Sequence, residues 1–319
     1  MEKTLPRRPL GSSHVGAIGL GCMGMTWAYT TGGRDDDRSI ATIHRAIERG
    51  MTLIDTADVY GPFSNEELVG RALRERRDEV FLATKVGLVV EDLATFKLAR
   101  DGSPGHVRAG IDASLDRLGT DHVDLYQLHR VDEDVPVEET WAAMAETVAA
   151  GKAGAIGMSE VTVEQLETAH AIHPVASVQS ELSLWTRDRL ADVLPWCVEQ
   201  GVAFIPFAPL GRGYLTGTIT AASFDERDFR ARNPRFTREA LEANLAIVER
   251  VSAVAARHDA TTAQIALAWV LAQADAVIPI PGTTKPERVD ENAGAAQLTL
   301  SGEDLAELDG APAPVGERY

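Results

Sequence analysis

Lysine is nearly absent from this chain. Only Lys3, Lys85, Lys97, Lys152 and Lys285 occur among 31 basic residues, and arginine supplies the rest. A lysine that closes a buried strand is therefore hard to dismiss as routine solvation. Cysteine is scarcer still: Cys22 and Cys197 are the whole set, too few for a disulfide framework or a zinc site. The basic residues are outnumbered by 48 acidic ones, for a formal charge of −17. That balance opposes nucleic acid and anionic membrane surfaces as partners, while leaving room for a local basic pocket. No apolar run approaches the ~20 residues of a membrane-spanning helix. No apolar core follows the basic residues near Met1 either, so a cytoplasmic protein without a secretory signal is expected.

What is present is ordinary globular material: 319 residues, 45% hydrophobic and 25% charged, enough for two average domains or one large α/β domain. One grammar repeats along it. A helical stripe ends in glycine, and a short β-branched or apolar run follows at once. Ile40, Ile43, Ala46 and Ile47 stop at Gly50, and residues 51–54 run into Asp55. Ser64 to Glu67 reads as a capping box for the next helix, and residues 80–84 then run into Lys85. Ser103-Pro104 is an N-cap with an N1 proline. Its stripe stops at Gly119, before residues 123–128 and His129.

A helix over 137–150 closes on Gly151, ahead of residues 153–157 and Ser159. Thr162 to Gln165 is a second capping box, and residues 176–178 lead to Gln179. Gly201 stops another helix before residues 202–205 and Phe207. Helices are predicted over 237–258 and 261–272, a last strand over 276–280, a helix over 286–297 and a short one over 301–308. With a first strand near 17–20 this gives eight β-then-α units, which predicts a parallel sheet closed as a (β/α)8 TIM barrel. Residues 8–16, turning at Gly11-Ser12, predict an N-terminal β-hairpin. No linker or low-complexity run divides the chain, so residues 1–319 read as a single barrel domain.

Such a barrel keeps its chemistry at the carboxyl ends of its strands. Here those positions hold Asp55, Lys85, His129, Ser159, Gln179, Phe207 and Gly282-Thr283. Singly, each has a plain explanation: Asp55 caps a turn, Lys85 is solvated, His129 is a satisfied core ring. Together they converge on one rim, with Tyr60 on the loop after Asp55. A tyrosine with a pKa near ~10 is a poor acid at neutral pH. A lysine ammonium beside it stabilises the phenolate and lowers that pKa, and an aspartate holds the lysine in place. A histidine on the next rim can donate to a carbonyl oxygen. The set suits protonation of an oxygen whose carbon receives a hydride from a cofactor.

In residue type, order and spacing, Asp55, Tyr60, Lys85 and His129 match the tetrad of the aldo-keto reductase superfamily, which the chain resembles from about residue 10 to residue 297. Gly19 to Met25, Ala208 to Gly213, and Pro281 to Lys285 with Glu291-Asn292 match as well. The resemblance implies NADPH-dependent reduction of an aldehyde or ketone to an alcohol. Tyr60 would be the general acid, Lys85 would lower its pKa, Asp55 would pair with Lys85, and His129 would orient the carbonyl. Cofactor contacts are implied at Gly21, Met23 and Asp55. Ser159 and Gln179 would bind the nicotinamide carboxamide, and Phe207 would stack on the ring. Leu210 and Arg212 would lie along the pyrophosphate. Thr283, Thr284, Lys285 and Arg288, with Gly282 beside them, would hold the adenosine 2′-phosphate, with Glu291 and Asn292 at the adenine.

The residues of the last segment agree with this independently. Two hydroxyls and a lysine before a helix N-terminus, with Arg288 one turn in, make an anion site. Two positions depart from the family pattern. Glu160 stands where many relatives have Asn, and a carboxylate cannot donate to the carboxamide oxygen. Phe207 replaces Tyr or Trp and keeps only the stacking face.

Two other readings carry less. Gly19-x-Gly21-x-x-Gly24 fits the dinucleotide fingerprint literally, but loop follows where a helix should open. His170 and His173 sit at a helix end with no carboxylate nearby, so no metal is expected. From a different class, a cofactor-bound regulatory or structural protein with little turnover shares this fold; the intact tetrad favours turnover. The partner expected is a small carbonyl compound, and the protein a monomer or weak homo-oligomer. Specificity should sit on loops 25–36, 87–105 and 130–135 and on the tail. The short tail predicts a relatively open, tolerant pocket, and Lys285 and Arg288 predict NADPH over NADH.

Overall fold

The computed structural model describes residues 5–29, 33–93, 95, 97–219, 224–226 and 228–318. It opens with the expected hairpin, β1 (Arg7–Leu10) paired antiparallel with β2 (Ser13–Gly16). Seven strands then form one parallel sheet, each beside the next: β3 (Leu20–Gly21), β4 (Leu53–Asp55), β5 (Phe81–Val86), β8 (Val123–Leu128), β9 (Ala153–Ser159), β10 (Ser177–Glu181) and β11 (Ala203–Phe207). Between β5 and β8, β6 (Leu88–Asp92) and β7 (Lys97–Arg100) make a separate antiparallel hairpin. That stretch reads as loop from sequence, because Leu88-Val89-Val90 run together without alternation and the second strand is only four residues long.

Each barrel strand is followed by a helix. These are α1 (Asp36–Glu48), α2 (Ser64–Leu73), α3 (Pro104–Leu118), α4 (Val137–Ala149), α5 (Val163–Ile172) and α6 (Val193–Gln200). An extra helix, α7 (Arg238–Arg257), precedes α8 (Thr262–Leu271); α9 (Pro286–Gly294) and α10 (Gly302–Asp309) end the fold.

The barrel closes through residues 276–281, which occupy the eighth strand position without forming a regular strand. Ile278 and Ile280 donate to Phe204 and Pro206 on one side, at 2.8 and 3.0 Å. On the other side Pro279 and Pro281 accept from Gly19 and Gly21, at 2.9 and 3.4 Å. The alternation explains the irregularity. Two prolines remove the donors that this edge would offer to β3, so only carbonyls bridge the seam. Gly21 belongs to that seam: a Cβ there would lie 2.9 Å from the Ile280 carbonyl oxygen.

Side chains alternate across the strands, so two apolar layers result. Leu53, Phe81, Ala83, Leu125, Ala203, Ile205, Ile278 and Ile280 fill the inside of the barrel. Leu10 and Val15 of the hairpin join them and stopper the end away from the strands' carboxyl termini. Outside, residues such as Ile54, Leu82, Tyr126, Ile156 and Phe204 meet the helices. Arg8 reinforces the stopper by donating to the carbonyls of Leu271 and Ala274, both at 2.9 Å, and to that of Val277.

The helix starts follow the sequence signals, with one correction. Ser103 caps α3, and Thr162-Gln165 forms the full capping box of α5. Ser64 to Glu67 does not form one. The residue before α2 is Phe63, in left-handed backbone at φ 65° with no side-chain cap. Ser64 donates instead to the Gly61 carbonyl at 2.6 Å. The two acceptor-bearing side chains that follow are turned inward. Asn65 accepts from Thr56 at 2.7 Å, and Glu66 accepts from Thr84 at 2.5 Å and pairs with Arg117 at 2.7 Å. The inward turn of Asn65 and Glu66 sets the backbone here, and the Ser64 hydroxyl is spent on the Gly61 carbonyl rather than on a cap.

Candidate active site

β4 ends on Asp55, but the backbone beyond it still follows β5. Thr56 donates to Ala83 at 2.9 Å and Asp58 to Lys85 at 3.3 Å. The chain then turns, Tyr60 N–H to the Ala57 carbonyl at 3.2 Å, and brings the phenol over the strand ends. The Lys85 ammonium sits at the centre, fully buried. It donates to Asp55 Oδ1 at 2.6 Å, the Thr56 carbonyl at 2.9 Å and Tyr60 Oη at 3.3 Å. Three acceptors for three N–H groups satisfy it completely. Asp55 Oδ2 accepts from Gln179 at 2.8 Å and from Gln127 at 3.4 Å. His129, past the end of β8, stands edge-on to the Tyr60 ring at 5.7 Å between centroids. Its Nδ1 is buried without a hydrogen-bond partner among the described residues. The four tetrad residues thus meet in one place.

Burial decides the electrostatics. It pushes the Tyr60 phenol up, and the pull of Lys85 in the other direction only reduces the rise, so Tyr60 stays protonated beyond the ordinary tyrosine range. Lys85 acts in the direction its place implied, yet the net shift is upward. Burial pulls the Lys85 ammonium down, but Asp55 and Tyr60 more than offset this and hold it above the usual lysine value. His129 is driven well below the usual histidine value by burial and by the cations Lys85 and Arg130. At neutral pH the site therefore holds a phenol, an ammonium and a neutral imidazole.

Asp58, between Asp55 and Tyr60, is raised from 3.8 to about 8 by burial and by the Glu66 carboxylate. A carboxyl whose pKa is raised on folding stabilises the fold below its unfolded value and loses that contribution as pH climbs through the folded one. Asp58→Asn should therefore raise Tm, and by about 5 °C more at pH 8 than at pH 5. An equal gain at both pH values, by calorimetry, would remove this account of Asp58.

The residues assigned to a cofactor lie along the same rim. Gly21 pairs in register with Asp55 and bridges to Gly282, and Met23 packs beside Tyr60. Ser159 Oγ accepts from Arg130 at 3.0 Å, which leaves its hydroxyl proton to donate. Gln179 has committed its amide nitrogen to Asp55, so its oxygen is the group left to accept. Phe207 ends β11, half-buried. Leu210 precedes the turns over Gly211–Thr216 as their N-cap residue, and Arg212 lies within them at φ 55°. The Arg212 guanidinium points inward, onto Glu181 at 3.0 Å. Thr283 Oγ1 accepts from the Lys285 N–H at 3.1 Å, and Lys285, exposed, is the N-cap residue of α9 with no side-chain cap. Arg288 pairs with Glu291 on the surface, and Asn292 is buried.

The expected open pocket is corrected. Tyr60 is only 8% exposed, because Trp27 and the β6–β7 residues Leu88, Val90 and Leu98 pack around it. The short tail had suggested openness, but the β5–β8 connection supplies the cover as a hairpin. Residues 30–32, 94 and 96 of the expected specificity loops lie outside the described residues. Asn65, Gln127 and Arg130 were missed from sequence. Asn65 donates to the Cys22 carbonyl at 3.0 Å and to Thr26 at 2.8 Å, tying the Tyr60 loop to the loop after β3. Among the described residues no cluster of His, Cys, Asp or Glu could hold a metal ion, and no helix is long and apolar enough to cross a membrane.

Comparison with known proteins bears on the same geometry. The chain is 43% identical over 304 residues to probable aldo-keto reductase 1 of Glycine max, covering 95% of this chain and 87% of that one. A glycerol dehydrogenase from Gluconobacter oxydans superposes with a TM-score of 0.87 at 32% identity, over 97% of this chain and 95% of that one. An aldo-keto reductase from Klebsiella pneumoniae, solved in complex with NADPH, does so with a TM-score of 0.75 at 30% identity over 99% of each. The Aldo/keto reductase family model matches residues 17–312, a span that contains all four residues gathered around Lys85, and the chain belongs to that family.

Proposed function

We propose that this protein reduces aldehydes or ketones to alcohols with NADPH, Tyr60 delivering the proton. The observation that carries the reading is the Tyr60 hydroxyl 3.3 Å from a buried ammonium that Asp55 holds at 2.6 Å. The donors and acceptors of the rim fit the cofactor. A carboxamide needs one partner that donates and one that accepts, and Ser159 and Gln179 are left in those two roles by their contacts with Arg130 and Asp55. At the other end, Thr283, Thr284 and Lys285 precede a helix whose first-turn amides have no side-chain cap, which suits a phosphate. Phe207 offers a ring face to the nicotinamide, Leu210 and Arg212 border the pyrophosphate, and Glu291 and Asn292 lie near the adenine.

When bound, NADPH supplies the hydride to the carbonyl carbon. The neutral His129 donates to the carbonyl oxygen and holds it beside Tyr60. Tyr60 Oη transfers its proton to that oxygen, and the Lys85 ammonium stabilises the phenolate left behind. Asp55 keeps Lys85 charged and aimed. Trp27, Leu88, Val90 and Leu98 make an apolar wall that excludes water and suits small carbonyl compounds with an apolar or aromatic body.

The test is NADPH consumption with a panel of aldehydes and ketones, each assayed with NADPH and NADH. NADPH binding without reduction of any carbonyl would favour the regulatory reading. The cofactor preference has its own test. Lys285→Ala should raise KM for NADPH about tenfold and leave KM for NADH within about twofold, since only the former carries the 2′-phosphate. Equal KM values for both cofactors, unchanged in the variant, would rule it out.

A further inference from the structure

Glu160, directly after Ser159, is the rim residue with no part in the proposed reaction. It stands in left-handed backbone at φ 54°, and its contacts explain why a carboxylate is tolerated there. Oε1 accepts the Glu181 N–H at 2.9 Å, and Oε2 pairs with Arg318, which lies 158 residues further along. Arg318 Nε is also 3.0 Å from Glu181 Oε2. The same oxygen accepts from Arg212 at 3.0 Å, and Thr186 donates to Oε1 at 2.8 Å. Arg235 stands beside them, donating to Thr186 Oγ1 at 2.7 Å, so three guanidiniums gather around the two carboxylates, and Arg318 is the one that contacts both. The side chains of Arg318 and Glu160 are 18% and 11% exposed, and the Arg318 guanidinium lies 5.9 Å from the centre of the Phe207 ring.

The tail that delivers Arg318 is seated by side chains that are themselves buried. Asn244 donates to the Val315 carbonyl at 3.0 Å and accepts its N–H at 2.7 Å. Arg235 donates to the Gly316 carbonyl at 3.2 Å, and Asn233 to that of Arg318 at 2.9 Å. Gly316 has φ 97°, and a Cβ there would come within 3.0 Å of Arg235 Cα and the Pro234 carbonyl oxygen. Only glycine fits that corner without strain.

We propose that Arg318 is a positioning residue for the nicotinamide end of the cofactor site. By neutralising Glu160 and Glu181 across the ends of β9 and β10, it holds Ser159, Gln179 and Phe207 in their binding arrangement and lets a carboxylate stand directly after Ser159. The assignment rests on the cofactor reading above. Without Arg318, Glu160 becomes an uncompensated, largely buried charge facing an anionic cofactor, and must either swing away with Ser159 or repel the ligand.

The test is NADP+ binding by titration calorimetry, with Tm of each variant in the absence of cofactor. Arg318→Met should raise Kd about 10- to 100-fold. Glu160→Asn placed in that background should bring Kd back to within about threefold of wild type, because the charge needing neutralisation has gone. Arg318→Lys, which keeps the charge but not the two-carboxylate fork, should weaken binding less, and again Glu160→Asn should relieve it; this variant serves if Arg318→Met does not fold. An unchanged Kd in Arg318→Met overturns the proposal, as does a loss that Glu160→Asn fails to restore, which would mark the tail as merely structural. A wild type that does not bind NADP+ sinks the cofactor reading and this one with it. A wild type that binds, with Arg318→Met binding equally, sinks this one alone.

Discussion

Tyr60→Phe should lower kcat/KM for carbonyl reduction by about 10³-fold, within the range general acids contribute, while Kd for NADPH stays within about threefold. The variant keeps the ring against Trp27, Leu88, Val90 and Leu98 and removes one oxygen. Lys85 retains Asp55 and the Thr56 carbonyl as partners, so the fold should tolerate the change. The pH dependence follows from the shifts. A general acid must be protonated to act, and Tyr60 is held above the ordinary tyrosine range, so reduction should run level from about pH 7 to pH 9 and fall only as the phenol ionises. His129, driven well below the usual histidine value, should add no acidic limb in that interval. Steady-state kinetics across pH on both proteins decide the matter. A variant retaining a tenth of wild-type activity would remove Tyr60 as the proton donor.

The parts of this site that could be read from sequence are those where a local pattern breaks. Asp55, Lys85, His129, Ser159 and Gln179 each interrupt or end an apolar run, and the barrel's geometry turns five separate interruptions into one rim. The hairpin and the glycine-stopped helices were legible for the same reason, since caps and turns are set by adjacent residues. What escaped was fixed by partners far along the chain. The capping box read at Ser64 to Glu67 fails because the Ser64 hydroxyl turns back to the Gly61 carbonyl and its neighbour Glu66 is held by Thr84 and Arg117. Gln127 lies inside a strand, where the alternation hides that it faces Asp55. The β6–β7 hairpin shows no alternation, since Leu88-Val89-Val90 run together and β7 has only four residues, although Leu88, Val90 and Leu98 pack over the Tyr60 segment. Glu160 looked like a defect in the carboxamide site until Arg318 supplied its counter-charge, a pairing that no local pattern encodes.

Lys85→Met should have the broadest effect, lowering both stability and activity by separable routes. The ammonium is wholly buried and satisfies three acceptors. Its removal strands the Asp55 carboxylate with Gln179 and Gln127 as its remaining side-chain donors among the described residues. Breaking a buried pair from one side costs about 3–5 kcal/mol, which for a chain of this size corresponds to a Tm lower by about 6 °C. In the wild type that contribution should persist through neutral pH. A lysine held above its ordinary value stabilises the fold at all pH values below its unfolded pKa, and the stabilisation is lost only as pH rises through the folded one. Activity should fall about 10³-fold or more, because the phenolate formed at Tyr60 would have no cation beside it. The double variant Asp55→Asn/Lys85→Met separates the two routes. With no charge left to strand, it should regain most of the lost Tm, yet remain as inactive as Lys85→Met alone. Recovery of turnover along with stability would mean that Lys85 serves only to hold Asp55, and the stabilised phenolate would have to be abandoned.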